Sequence, residues 1–412
     1  MKKIMILGAG TAGTIMANKL RKALDRREWE ITIIDKNQEH YYQPGFLFLP
    51  FGVYNESHVV KAKLTYLPKG VNVIYNEADK VIPEDKQVRM ADGTILHYDY
   101  LIIATGAQVR PDQTPGLLGQ LWYKTIFDFY TVEGAVKLGE FLKTWEGGHL
   151  VISIAELPYK CPVAPLEFAF LADAYFTKSG IRNKVKISYV TPLAGAFTKP
   201  IATKMLSDLL KEKNIEVISD FYLERVDNES KCIVSYDGRE VSFDLLTIIP
   251  VNMGDELIAR SGLGDDLNFV PTDKHTLRSE KHENVFVLGD ASNIPTSKAG
   301  SVAHFSADIL FENLMASIAG KPLNAKFDGH ANCFIETGFG KGSLIDFNYD
   351  TEPLPGTFPL PFFGPFGLLR NNRINHWGKM MFRWLYWNLI ITGVKIPMMG
   401  SHMTMTGKRK TG

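Results

Sequence analysis

The first 35 residues leave few choices of fold. Residues 4–7 are an uninterrupted apolar run, residues 8–13 form a turn with glycine at positions 8, 10 and 13, and residues 14–24 have helical spacing. A second apolar run, residues 29–34, ends on Asp35, 22 residues after Gly13. This order of strand, glycine turn, helix and strand is typical of a parallel βαβ unit, so an α/β fold is predicted.

Each glycine of the turn has its own physical role. Gly8 permits the tight turn, Gly10 lets a pyrophosphate approach the backbone, and Gly13 allows the helix to pack closely on the strand. The helix N-terminus offers N–H groups and a positive dipole end to the phosphates. Asp35 stands at the spacing of a carboxylate that binds a ribose hydroxyl. The segment therefore predicts a dinucleotide site.

Two later segments indicate which dinucleotide binds. Residues 99–106 read as a buried strand ending in Ala-Thr-Gly, and residues 284–290 as another ending in Gly-Asp. Ligands in open α/β sheets lie at these carboxyl ends. The segments resemble the corresponding motifs of two-dinucleotide-binding-domain flavoproteins, in which the aspartate, here Asp290, binds the ribityl chain. The resemblance implies non-covalently bound FAD.

A chain of 412 residues that is 45% apolar and 22% charged can bury more than one core. We expect a discontinuous FAD-binding Rossmann-like domain over residues 1–110 and 270–335, a second Rossmann-like domain over residues 111–269, and a C-terminal region over residues 336–412. Three cysteines are too few for a disulfide scaffold, so chemical roles are favoured over structural ones.

The second domain lacks a glycine loop for a nicotinamide nucleotide. Its first strand, residues 150–154, is followed by Ala-Glu-Leu-Pro-Tyr, which contains no glycine. The charge of Glu156 would repel a pyrophosphate. The sequence therefore predicts a retained fold without an NAD(P)H site, and electrons must come from another donor.

Two cysteines are candidates for that chemistry. Cys161 lies between Lys160 and a proline at the start of a predicted helix, where the cation and the helix dipole would lower the thiol pKa. Glu167 follows six residues later and is suited to proton transfer. Cys333 lies where the chain is expected to return to the flavin. An inert buried cysteine is the alternative in each case, and Cys232 reads as an ordinary strand residue.

Over essentially its whole length the chain resembles the sulfide:quinone oxidoreductases. The specific element is Lys-Cys-Pro-x-Ala-Pro-x-Glu at residues 160–167. Support comes from residues 295–300, the Cys-Phe pair at 333–334, and the stretches at 376–379 and 398–403. Residues 107–131 contain no cysteine, so the resemblance is to the subgroup without a third catalytic cysteine.

The resemblance implies a membrane-attached enzyme that oxidises sulfide to polysulfide or sulfur and reduces a quinone. Its catalytic residues would be Cys161, Cys333 and Glu167, the cysteines forming a disulfide or bridged polysulfide with Cys333 nearer the flavin. It implies a homo-oligomer and no metal. The cofactor residues would be Gly8, Gly10, Ala12, Gly13, Asp35, Lys36, Gln43, Ala78, Ala104, Thr105, Gly106, Gly289, Asp290, Lys298 and Gly300. The quinone residues would be Phe334, Phe363 and Phe366.

Charge is divided unevenly along the chain. The formal total is +1, but residues 353–412 contain eight basic and no acidic residues and so carry +8, against −7 for the first 352. Residues 373–391 predict a basic amphipathic helix with three tryptophans in or near it, which favours attachment to anionic lipid over nucleic acid. No apolar window of about 18 residues predicts a spanning helix, and the N-terminus predicts no cleavable signal peptide.

Other functions remain open from the residues alone. One is the flavoprotein subunit of flavocytochrome c sulfide dehydrogenase, which has a similar cysteine-proline segment. Another is a type II NADH:quinone dehydrogenase, which the missing second glycine loop disfavours. A non-catalytic FAD-binding membrane adaptor is the alternative from another class.

Overall fold

The computed structural model describes residues 1–361, 363–396 and 399–409. Met398 of the terminal motif and Lys410 of the basic group lie outside the described residues. The α-helices of the described part are α1 Thr11–Ala23, α2 Glu56–Val59, α3 Val132–Leu142, α4 Ala164–Lys178, α5 Pro200–Glu212, α6 Glu256–Arg260, α7 Gly300–Ile318 and α8 Arg373–Leu385.

The first sheet is parallel and five-stranded within the described residues. Apolar runs rich in Ile, Val and Leu form its strands, which are buried because helices cover the sheet. In spatial order they are Val285–Val287, Tyr100–Ile103, Lys2–Leu7, Trp29–Ile34 and Asn72–Ile74. The central strand is the one that leads into the glycine turn, so the turn lies at the middle of the sheet's carboxyl edge. The predicted βαβ unit is confirmed.

The second sheet repeats this architecture. Its strands in spatial order are Ile126–Phe127, Leu245–Ile249, Gly148–Ile154, Val185–Val190 and Glu216–Ile218, all parallel. Helix α4, which follows the loop carrying Cys161, packs against the strand Ala331–Gly338, which carries Cys333. Two distant segments of sequence therefore meet at one place.

Small antiparallel sheets connect these layers. They pair Glu39–Tyr41 with Val60–Ala62, Ala107–Arg110 with Val251–Gly254, Ala78–Ile82 with Gln87–Met90 and Ile95–His97, and Leu223–Asp227 with Cys232–Ser235 and Glu240–Ser242.

The C-terminal region is a mixed sheet followed by α8. The sheet consists of Ala331–Gly338, Lys341–Phe347, Phe366–Leu368 and Gly356–Phe358. The described residues between its last two strands in sequence, 359–361 and 363–365, form a proline-rich loop. Helix α8 continues into a π-helical turn, Tyr386–Ile390. In the described part of the chain, no helix combines the length and apolarity that crossing a membrane requires.

Candidate active site

A cleft opens at the carboxyl edge of the first sheet. The edge collects side chains and turns from all parts of the chain because parallel strands end there together. The predicted residues that line it are Gly8, Gly10, Ala12, Asp35, Gln43, Ala104, Thr105, Gly106, Cys161, Glu167, Gly289, Asp290, Lys298 and Gly300.

The glycine turn has the geometry that its sequence indicates. Gly8 has φ +95°, and a Cβ there would lie 2.4 Å from the Ala104 carbonyl oxygen. A Cβ on Gly13 would lie 1.8 Å from the Gly8 carbonyl oxygen, so only glycine allows α1 to begin this close to the strand. Gly13 therefore serves packing behind the cleft rather than its lining.

The cleft fits a dinucleotide. A Cβ on Gly10 would meet no described atom within 4 Å, so the space beside that backbone is open. The first turn of α1 contains no acidic residue, which leaves its positive dipole end free to face phosphates. The buried hydroxyl of Thr105 has no hydrogen-bond partner in the described part of the protein, as expected of a group that awaits a ligand.

Two carboxylates border the cleft in different environments. Burial raises the pKa of Asp290, while the nearby ammonium groups of Lys298 and Lys160 oppose that shift. Asp35 already has protein partners, since it accepts a hydrogen bond from the Ala9 backbone at 2.7 Å and pairs with the buried Lys63 at 2.6 Å. Asp35 thus ties the glycine turn to the turn that begins at Lys63.

Cys161 is held in an unusual backbone conformation. Its φ is +49°, in the left-handed region that costs a non-glycine residue free energy. The Cys161 N–H donates to the Lys298 carbonyl at 2.7 Å, and the Tyr130 hydroxyl donates to the Lys160 carbonyl at 2.7 Å. These bonds fix the loop three residues before α4 begins.

A buried ion pair joins the two cysteine-bearing segments. Lys379 of α8 donates to Glu167 of α4 at 2.7 Å and to the Phe334 carbonyl, next to Cys333, at 2.9 Å. The Glu336 N–H donates to the same Glu167 oxygen at 2.7 Å. One carboxylate therefore holds the strand of Cys333 and the helix α8 against the start of α4.

The predicted lowering of the Cys161 pKa is wrong. Burial raises the pKa of Cys161 to about 11, and the Glu167 carboxylate raises it further. Backbone N–H groups at the start of α4 do oppose the shift, but they do not outweigh desolvation. Lys160 does not assist, because its ammonium donates to the Ala107 carbonyl instead.

Cys333 has the same character. Burial raises its pKa well above that of an ordinary thiol, and a neighbouring Cys161 thiolate adds to the effect. Both residues are free thiols here, and Cys161 lines the cleft while Cys333 lies outside its lining. Cys232 is buried in the strand Cys232–Ser235 of the small three-stranded antiparallel sheet, and it is an ordinary strand residue as predicted.

The remaining predicted residues are dispersed. Lys36 and Ala78 line a smaller neighbouring pocket rather than the main cleft. Phe334 and Phe366 contact each other edge to face with centroids 5.1 Å apart, both against Gly378. Phe363 lies on the proline-rich loop and is 88% exposed.

Several cleft residues were missed from the sequence. The sequence pattern places Lys379 among the basic residues of the predicted membrane-facing helix. It is also the last residue of the stretch 376–379, which supports the family resemblance. Lys63, His40 and Tyr386 also line the cleft. Their sequence surroundings contain no recognisable motif, so only the fold could bring them there.

Comparison with known proteins agrees with this geometry. Residues 2–142 match the family described as pyridine nucleotide-disulphide oxidoreductase. The chain is 31% identical to the mitochondrial sulfide:quinone oxidoreductase of Dictyostelium discoideum over 355 residues, covering 85% of this chain and 78% of that protein. It is 27% identical to the Mus musculus mitochondrial enzyme, covering 95% and 86%.

The fold is similar to that of a solved structure of the sulfide:quinone oxidoreductase from Aquifex aeolicus, with TM-score 0.79 and 21% identity over 96% of this chain and 92% of that one. The fold, the cleft and the sequence relationship over most of both chains show that this protein belongs to the sulfide:quinone oxidoreductase family of FAD-dependent enzymes.

Proposed function

We propose that this protein oxidises sulfide and reduces a quinone through a Cys161–Cys333 redox pair beside FAD. The observation that carries the proposal is the convergence of the two cysteine segments on Glu167 at the wall of the dinucleotide cleft. The missing glycine loop after Gly148–Ile154 supports a donor other than NAD(P)H.

The two cysteines suit thiol–disulfide exchange. Hydrosulfide attacks one sulfur of the Cys161–Cys333 bridge, which forms a persulfide on one cysteine and breaks the bridge to leave a thiolate on the other. Burial raises the pKa of both cysteines, so a lasting thiolate is unfavourable and its reaction with the persulfide is favoured. Joining of the persulfide and the thiolate as a trisulfide bridge releases two electrons, which FAD bound in the cleft would accept and pass to the quinone. A further hydrosulfide would attack the central sulfur of the trisulfide, and the displaced cysteine thiolate would then restore the disulfide and release the oxidised sulfur as HSS−.

During this cycle Glu167 would accept a proton and Lys379 would stabilise negative charge on sulfur. Burial raises the pKa of Glu167, which suits it to take the proton of the persulfide. Burial disfavours the Lys379 ammonium, but Glu167 outweighs that effect and raises the Lys379 pKa. The lysine thus stays positive beside the sulfurs and can offset the thiolate.

Attachment to a membrane would give access to the quinone. Helix α8 presents Ile374, Trp377, Met381 and Trp384 to the outside, and Trp377 is 71% exposed. Indole rings favour the bilayer interface. We infer peripheral attachment to anionic lipid through this face, with Phe334, Phe363 and Phe366 along the quinone path.

The predicted division of the chain remains our proposal. Residues 1–110 with 270–335 and residues 111–269 each contain the strands of one parallel sheet, which supports the division into two Rossmann-like domains; the bound at 335 falls within the strand Ala331–Gly338. Residues 336–412 would form the quinone and membrane region, and a homo-oligomer is expected.

An anaerobic titration tests the chemistry. Sulfide should bleach the flavin absorbance of the purified protein, and a quinone analogue should restore it. Cys161→Ser and Cys333→Ser should abolish bleaching by sulfide. The matched control is Cys232→Ser, which should bleach normally because Cys232 lies in a separate three-stranded antiparallel sheet rather than beside Glu167.

Other outcomes would replace the proposal. Bleaching by NADH instead of sulfide would identify an NADH dehydrogenase, and equal loss in all three cysteine variants would remove the assigned pair. Co-purification with a cytochrome would favour the flavocytochrome reading, and a flavin inert to both donors would favour an adaptor.

A further inference from the structure

The segment that directly follows α8 is docked along the helix that opens the dinucleotide site. Residues 386–393 follow α8 and contact α1 along its length. The Tyr386 hydroxyl is hydrogen-bonded to Thr11, the first residue of α1, at 2.7 Å. Asn18, in the middle of α1, donates to the Ile391 carbonyl at 3.2 Å. Lys22, in its last turn, donates to the Thr392 carbonyl at 3.0 Å.

Tyr386 belongs to the cleft as well as to this docked segment. Its hydroxyl is also hydrogen-bonded to His40 Nε2 at 2.7 Å, and Tyr386, His40 and Thr11 all line the cleft. His40 is 1% exposed, and its Nδ1 has no partner in the described part of the protein. The hydrogen bond to Tyr386 therefore links the docked segment to a buried residue of the cleft wall.

The contact is supported by close packing. The Tyr386 ring lies 4.8 Å from that of Tyr42, and Trp387 stacks on Tyr66 at 5.0 Å. Gly393 passes so close to α1 that a Cβ would lie 3.2 Å from the Ile15 carbonyl oxygen. The segment is thus part of the fold of the cofactor domain, although 375 residues of sequence separate Tyr386 from Thr11.

We propose that docking of residues 386–393 on α1 completes the dinucleotide site, so that FAD binding and this docking stabilise each other through Tyr386. Two events that share one structural element must be coupled reciprocally. Because α8 runs directly into the docked segment, the cofactor would also steady the helix that exposes Trp377 and Trp384.

One side of the coupling, the effect of docking on FAD affinity, is measured by diluting the full-length holoprotein and monitoring FAD release by FAD fluorescence. Tyr386→Phe should raise the FAD dissociation constant about tenfold, as loss of one or two hydrogen bonds would. Lys22→Met should raise it about twofold, since this exposed contact lies outside the cleft and can act only through docking. The control is Tyr98→Phe, because the buried Tyr98 hydroxyl has no described partner and lies outside the cleft.

Tryptic cleavage after the exposed Lys395 measures the other side. FAD at 100 times its dissociation constant should slow this cleavage in the unaltered protein by up to about 100-fold, and much less in Tyr386→Phe. Cleavage after Lys231, in a turn of another sheet, should not change, which separates local docking from global stability.

Three results would overturn the proposal. The first is an unchanged FAD dissociation constant in Tyr386→Phe. The second is a rate of cleavage after Lys395 that does not depend on FAD. The third is a weakened FAD affinity in Tyr386→Phe while FAD still protects Lys395 fully, which would make Tyr386 a local contact only. No readout uses sulfide or quinone, so failure here is distinct from failure of the proposed reaction.

Discussion

At Cys161 the local sequence and the folded environment act in opposite directions. The backbone N–H groups at the start of α4 favour a thiolate, whereas burial beside Glu167 favours the thiol. Burial prevails because desolvation of a full charge exceeds the effect of a few N–H groups. The same reasoning applies to the buried ion pair of Glu167 and Lys379, which stabilises the fold only when both partners are present.

Lys379→Met should therefore be costly. It leaves Glu167 buried without its cation, which typically lowers the free energy of unfolding by about 3–5 kcal/mol. Urea denaturation measures this change. The double variant Glu167→Gln with Lys379→Met should recover part of the loss, and equal losses in the single and double variants would contradict a buried charged pair.

His40 predicts sensitivity to acid. Burial lowers its pKa from 6.5 to about 4, so the unfolded chain binds a proton more readily between these values. The stability that neutral His40 contributes is present above pH 6.5 and lost as the pH falls through 4, by up to about 3 kcal/mol. Urea denaturation at pH 7 and 4.5 should show a smaller loss in His40→Asn than in the parent.

His97→Gln is the control for this measurement, because His97 is exposed. His304 has its pKa lowered to about 4 by burial and keeps its own share of the acid sensitivity in every variant. An identical pH dependence in the parent and His40→Asn would contradict the prediction.

At the scale of elements, α8 has two opposed faces. Asn375, Gly378 and Lys379 face inward, while Ile374 and Trp377 are exposed. The spacing of three and four residues predicted the amphipathic helix, but not that one lysine would turn toward the sulfur site. Trp387 follows the helix and is buried, so its indole serves the protein interior rather than a membrane.

The outer face of α8 can be tested directly. Trp377→Ser with Trp384→Ser should abolish flotation with anionic phospholipid vesicles, since these indoles are 71% and 59% exposed. Flavin bleaching by sulfide in detergent should persist, because neither side chain lines the cleft. Tyr236→Ser, which removes an exposed aromatic ring from the turn after the strand Cys232–Ser235, should leave flotation unchanged.

For the whole molecule, the charge division seen in the sequence is partly cancelled by folding. Lys379 pairs with Glu167, and Lys408 pairs with Asp346 at 2.5 Å, so two cations of the +8 segment are neutralised by carboxylates of the −7 part. The surface of the C-terminal region is accordingly less basic than the sequence suggests.

Salt should therefore release little protein from vesicles. Raising sodium chloride to about 1 M shortens the screening length to about 3 Å and suppresses surface attraction, but it does not weaken apolar burial. Sedimentation of vesicle-bound protein measures the retained fraction. Release of most of the protein by salt would mean that the remaining exposed cations, rather than the tryptophans, dominate attachment.

The sequence by itself determined the α/β fold, the glycine turn, the cofactor class and the residues at the strand ends. These follow from short segments in which each residue acts on its near neighbours: a strand must be apolar to be buried, and Gly13 must lack a Cβ to pack on Gly8. The family resemblance rested on equally local motifs.

Only the tertiary structure decided the ionisation of Cys161, the inward turn of Lys379 and the place of Tyr386 beside Thr11. Each depends on desolvation or on contacts between segments hundreds of residues apart. Such contacts leave no periodicity or spacing in the sequence, because burial and partner choice are set by the packing of the whole chain.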